Sequence, residues 1–122
     1  MPQNIYTVYV RTGADTLAGT DSEVFIQLFG TAGQTDEIHL PARDIFSFES
    51  GSVDKFVLEV PDLGELTRCC LRQDNSETGP SSGWLVNDVR VEDDNTARTW
   101  TFTFNCWLGI EESGSLTACV EQ

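Results

Sequence analysis

Apolar and polar residues alternate through most of this chain. Tyr6, Val8 and Val10 alternate with Ile5, Thr7 and Tyr9, and Val24, Ile26 and Leu28 alternate with Phe25, Gln27 and Phe29. Phe56, Leu58 and Val60 alternate with Lys55, Val57 and Glu59. Trp100, Phe102, Phe104 and Cys106 alternate with Thr101, Thr103 and Asn105. A period of two puts one set on each face of a strand, so each run reads as a half-buried strand. Shorter candidates at 37–40, 65–72, 84–91 and 116–120 bring the count to about eight strands. No long segment carries a helical stripe. Clusters rich in Gly, Pro, Asn, Asp and Ser separate the runs: "GTAGQTD", "FESGSVD", "QDNSETGPSSG", "EDDNTA" and "EESGS". Short strands at regular spacing with turn clusters between them predict an all-β antiparallel sandwich or barrel.

Length and charge narrow the functional classes. The 122 residues make one domain, spanning 1–122, long enough to bury a core without staples. Twenty acids against seven bases leave a net charge of -13, which disfavours unaided contact with nucleic acid or an anionic membrane. "MPQNIYTVYV" lacks the basic and apolar regions of a secretion signal, and no apolar stretch reaches membrane-span length. The expectation is a cytoplasmic protein or a domain cut from something larger. Cys69, Cys70, Cys106 and Cys119 have no C-x-x-C spacing, and His39 is the lone histidine, so zinc is disfavoured. Buried, reduced thiols are expected, with a Cys69–Cys106 bridge as the alternative.

Acids concentrate in three of the connectors. "GADTLAGTDSE" holds Asp15, Asp21 and Glu23, "FESGSVD" holds Glu49 and Asp54, and "QDNSETG" holds Asp74 and Glu77. Carboxylates gathered at one end of a sandwich repel one another, and a hard cation relieves the repulsion. Calcium accepts six to eight oxygens in irregular geometry, main-chain carbonyls included. Gly13, Gly19 and Gly51 allow such carbonyls to turn inward. The competing reading is a set of solvated acidic turns that keep the protein soluble.

The pieces "YTVYVRTG", "AGTDSEVFIQLFG", "FESGSVDKFVLEV", "LGEL", "DNSETGPSSGWLVNDVRV" and "FTFNCWL" occur in the order of the PLAT domain. From about Ile5 to Leu108 the chain resembles this β-sandwich module of animal lipoxygenases, clostridial alpha-toxin, polycystins and lipases. The resemblance implies two packed four-stranded sheets, calcium in the loops at one end, and calcium-assisted docking on lipid. Gly19, Thr20 and Asp21 match the family's "GTD" ligand loop, and the carbonyl of Leu17 matches a main-chain ligand. Glu49 matches the acidic ligand of the "FE-x-G" loop, and Asp74 and Asn75 match its "DN" element. Asp54 matches the "G-x-x-D" position, where the carboxylate either binds metal or caps the loop. Where some lipoxygenases carry an Asn-Asp pair, this chain has Phe46 and Ser47, which implies fewer or weaker ions.

Apolar tips complete a membrane-docking surface. Leu17 stands where lipoxygenases often have an aromatic residue, and burying one Leu contributes roughly 1.5–3 kcal/mol. Ile45 and Phe46 form a second tip or pack ordinarily at a strand end. Trp84 and Trp100 read as core, whereas Trp107 is out of phase with Trp100, Phe102 and Phe104 and suits a lipid or sugar contact.

Catalytic chemistry finds little purchase. No G-x-S-x-G elbow, phosphate loop or histidine-rich iron site is present, and the lone His39 reads as a strand residue. The chain reads as a non-catalytic, calcium-dependent lipid-binding module that associates peripherally with membranes. The first alternative is a protein-interaction domain, docking a partner or a parent catalytic domain through a face bearing Phe25 and Phe29. A carbohydrate-binding module with a flat row built from Tyr9 and Trp107 is the second.

Overall fold

Every alternating run forms a strand in the computed structural model, which describes residues 3–14, 23–40, 49, 51–74, 83–109 and 115–122. In chain order the strands are β1 (Gln3–Thr12), β2 (Val24–Gly30), β3 (Gly33–Gln34), β4 (Ile38–Leu40) and β5 (Val53–Pro61). They continue with β6 (Leu66–Gln73), β7 (Trp84–Asp93), β8 (Thr99–Leu108) and β9 (Thr117–Glu121). The first sheet has four strands in the order β5-β1-β7-β8. The second has five: β3-β2-β6-β9 with β4 also on β2. All pairings are antiparallel.

The sandwich expected from the sequence is therefore present, with one addition. β3 is a two-residue strand inside the "GTAGQTD" segment that reads as a plain turn. Thr35 seals the break between β3 and β4: its N–H donates to Leu28 O at 2.9 Å, and its Oγ1 accepts from Leu28 N at 3.1 Å. Backbone groups of β2 that would otherwise lie unpaired are thus satisfied.

The even-numbered residues of β1, β2, β5 and β8 supply much of the core. Tyr6, Val8, Val10, Val24, Ile26 and Leu28 are fully buried. Apolar burial of this kind is worth about 25 cal/mol per Å² removed from water. β7 changes phase midway: Trp84 and Val86 face inward, and so do Val89 and Val91. A register shift between Val86 and Asp88 absorbs the change, with Asn105 of β8 at φ 45 opposite it. Asn is among the residues that tolerate this region.

The cysteines differ from the expectation. Cys70 and Cys119 are directly opposed in the β6–β9 ladder and form a disulfide, with Cα atoms 4.0 Å apart. Cys69 points the other way and is buried as a free thiol, and Cys106 is half-buried and free. Burial pushes the Cys69 thiol far up and the Cys106 thiol up, so both stay protonated. Adjacent Cys residues on a strand face opposite sides, so only one of the pair meets β9.

Candidate functional site

The strands run so that all three acidic connectors are rooted at one end. β1, β4, β6 and β8 end there, and β2, β5, β7 and β9 begin there. Main-chain hydrogen bonds join the roots. Thr12 N–H donates to Ser52 O at 3.0 Å, Gly51 N–H to Gly13 O at 2.9 Å, and Gly13 N–H to Leu85 O at 2.9 Å. On the second sheet, Asp74 N–H donates to Glu23 O at 3.0 Å, and Glu23 N–H returns a bond to Asp74 Oδ1 at 3.1 Å. The turn before β5 closes with Ser52 N–H on Glu49 O at 3.0 Å. Gly51 sits at φ 75, a left-handed conformation that costs a side-chain-bearing residue. A Cβ at Gly13 would meet Leu85 Cδ2 at 2.6 Å, so a larger residue there would displace the Leu85 side chain.

Beneath these roots lies a floor of buried polar contacts that the sequence reading missed. Trp84 Nε1–H donates to Thr12 Oγ1 at 3.0 Å, with both residues buried. Gln73, fully buried, donates from Nε2 to Leu108 O at 2.6 Å and from its N–H to Leu116 O at 3.0 Å. The first of these bonds links the two sheets at the loop end. A buried Gln at the close of an alternating strand was the available signal, because such a group requires partners.

The expected ligands divide into two groups. Leu17, Gly19, Thr20, Asp21 and Asn75 lie outside the described residues, as does Phe46. Glu49, Asp54 and Asp74 are described and stand at this end. Glu49 is exposed. Asp54 belongs to β5 itself, opposite Val10, and accepts a hydrogen bond from Ser52 Oγ at 3.1 Å, the loop-capping role open to it. Asp74 spends part of its carboxylate on Glu23 N–H. Among the described residues, no three His, Cys, Asp or Glu side chains lie close enough to hold a metal. The donors at this end are carboxylates and carbonyl oxygens, the hard set that suits calcium.

Trp107 lies one residue from the end of β8, on the outer face, half-buried and opposite Leu85. Tyr9 shares that face but is level with Arg90 and Thr101, six positions from Trp107 along β8, roughly 20 Å. The two do not make a continuous row. His39 is exposed, its Nε2 against the Glu23 carboxylate and its ring 5.2 Å from Phe25. Phe25 and Phe29 face outward, yet guanidinium groups cover them. Arg72 lies 4.2 Å from the Phe25 ring and Arg68 5.5 Å from the Phe29 ring. Arg72 also holds Glu37 through two hydrogen bonds, at 2.9 and 2.7 Å, which pull the Glu37 carboxyl below its usual range. That face is a paired aromatic–arginine ladder rather than bare apolar surface.

The profile of the PLAT/LH2 domain matches residues 6–120. Over 113 residues the chain is 40% identical to human lipoxygenase homology domain-containing protein 1, and it is 37% identical over 107 residues to mouse polycystin-1-like protein 3. It covers 92% and 87% of this chain in the two cases but only 5% of either relative. Coral 8R-lipoxygenase, described as activated by calcium via a C2-like domain, superposes with TM-score 0.81 at 26% identity, over 96% of this chain and 16% of that one. A calcium-dependent 11R-lipoxygenase superposes with TM-score 0.70 at 27% identity, over 97% of this chain and 17% of that one. Clostridium perfringens alpha-toxin shares the fold at 18% identity, with TM-score 0.71 over 99% of this chain and 31% of that one.

Proposed function

We propose, from the premise that this chain belongs to the PLAT/LH2 domain family, that it is a non-catalytic module that docks on lipid through calcium held at its acidic loop end. The observation that carries the reading is the convergence of the three acidic connectors on one hydrogen-bonded end, with Gly51 bonded to Gly13 and Glu23 bonded to Asp74. Carboxylates rooted on such a base stay at one end of the sandwich, and a cation offsets their mutual repulsion. Glu49, Asp54, Asp74 and Asn75, with Asp21, Thr20, Gly19 and the Leu17 carbonyl, form the proposed ligand set. When bound, calcium supplies positive charge for lipid phosphate. Leu17, Phe46 and Trp107 supply the apolar and interfacial contact, for which an indole suits the headgroup boundary.

The calcium-dependent lipoxygenases among the structural neighbours support the same reading. No helix among the described residues is long and apolar enough to cross a membrane. The Cys70–Cys119 bond fits an oxidising compartment better than the cytoplasmic setting expected from the sequence.

The test is calorimetric titration of calcium into wild type and Glu49→Ala, paired with sedimentation on vesicles of phosphatidylcholine and phosphatidylserine. Glu49→Ala weakens calcium binding at least tenfold, about 1.4 kcal/mol, and vesicle binding requires calcium. Calcium-independent vesicle binding, or no heat of calcium binding by wild type, defeats the proposal.

A further inference from the structure

The three large apolar side chains exposed among the described residues share one face. Ile5, Val53 and Val57, at 38%, 59% and 56% exposure, all lie on the outer face of the first sheet, on neighbouring strands β1 and β5. Half-buried Tyr9 lies between them. Lys55 stands between Val53 and Val57, and Glu59 beside Ile5, so apolar and charged groups interleave on this face. The chemistry of the occupant is written in the charges around it.

Those charges run in rows across the sheet. Lys55, Tyr9, Arg90 and Thr101 are paired side by side across all four strands. The next row towards the loop end is Val53, Arg11, Asp88 and Thr103. The row on the other side is Val57, Thr7, Glu92 and Thr99, and beyond it lie Glu59 and Ile5, with Asp94 bonded to the Ile5 carbonyl. The face is therefore basic towards the loops, through Arg11, Lys55 and Arg90 against Asp88. It is acidic away from them, through Glu59, Glu92 and Asp94. The ion pairs within it, Arg11–Asp88 and Arg90–Glu92, join exposed guanidinium groups to half-buried carboxylates.

A surface that is basic at one end and acidic at the other, with apolar residues spread along its β5–β1 side, complements itself when turned end for end. We infer that this face binds a second copy of the same domain, with strands antiparallel to its own. A two-fold axis lying between the faces at the Thr7–Val57 row sets Lys55 opposite Glu59 of the second copy and Arg90 opposite Asp94. It stacks Val57 on its own counterpart, sets the two Glu92 carboxylates facing each other, each beside its own Arg90, and directs Ile5 of the second copy at the hollow of about 330 Å³ lined by Tyr9, Arg11, Val53, Asp88, Arg90 and Thr101. Such an isologous contact is closed, so association stops at two. The arrangement also sends the two acidic loop ends in opposite directions, which limits the repulsion between bodies of charge -13. The four-stranded face measures on the order of 15 by 30 Å, below the usual 800 Å² per partner, so the pairing is weak and reversible.

Sedimentation equilibrium of the 122-residue domain in chelator, from micromolar to millimolar concentration, tests this without involving calcium. Wild type is expected to move from 13.5 kDa towards twice that mass. Lys55→Glu and Glu59→Lys each set like charges together at two symmetric contacts, so each variant alone stays at the single-chain mass. The Lys55→Glu, Glu59→Lys double variant, and an equimolar mixture of the two single variants, regain association. Far-UV circular dichroism establishes that the variants are folded. A wild type that stays monomeric to millimolar concentration overturns the inference. So does association that is unchanged in both single variants, or a double variant that fails to regain it while folded.

Discussion

Asp93 shows how one residue can hold a turn. It is fully buried at the end of β7, and its Oδ1 accepts from Asn95 N–H at 2.9 Å and Thr96 N–H at 3.3 Å. Its own N–H donates to Arg98 O at 2.8 Å, closing the β7–β8 hairpin. Burial alone would raise its carboxyl; the contacts from Asn4, Asn95 and Thr96 outweigh burial and hold it below its ordinary value of 3.8. A depressed carboxyl contributes stability that is complete above the unfolded value and fades as pH falls through the folded one. The melting temperature of wild type is therefore expected to begin falling below about pH 5 and to go on falling as pH passes through the lowered folded value. Asp93→Asn should show a shallower drop, and Asp93→Ala should cost about 1–3 kcal/mol at neutral pH in urea unfolding. In the sequence, "EDDNTA" is legible as a turn, but nothing there distinguishes Asp93 from Asp94; only burial does. Asp54 was similarly ambiguous, and its bond from Ser52 Oγ is a fact of three dimensions.

Among the elements, β9 depends most on a covalent link. No residue of this five-residue edge strand is fully buried; Ala118 and Val120 only pack against the core's margin. The Cys70–Cys119 bond closes a sequence separation of 49 residues, and restricting the unfolded chain to that extent typically stabilises by about 2–4 kcal/mol. Cys70→Ser with Cys119→Ser should lose that amount in denaturant titration. Hydrogen exchange should quicken in β9 first, while β1 and β7 at the centre of the other sheet stay protected. Strand existence was legible because period two persists through β1, β2, β5 and β8. The partner of Cys70 was not, because register is a relation between segments some fifty positions apart. The inward switch of β7 between Val86 and Val89 was hidden for a related reason: a bulge breaks the alternation from which faces are read.

At the scale of the whole molecule, charge is arranged in zones. Acidic connectors are rooted at one end, guanidinium groups screen the aromatics of the second sheet, and the first sheet grades from basic to acidic along its strands. Sequence gave access to the acidic end because its residues cluster in three short segments, whereas the graded face is assembled from single residues on β1, β5 and β7. If calcium binds at the loop end of the folded state alone, a hundredfold excess over Kd adds about 2.7 kcal/mol of stability. Differential scanning calorimetry should then show a higher Tm in calcium than in chelator, with Glu49→Ala gaining less.

The direction of the outermost strands carries one more implication. β1 sets out from the end remote from the loops, beside Pro61, and β9 returns there, where Glu121 meets Arg68 and the Gln122 side chain donates to Thr101 O at 2.7 Å. Both ends of the domain therefore leave from its base. Joined to neighbours by either end or both, it would be held from behind like a lamp on a bracket, with Glu49 and Asp74 at the end remote from the attachment.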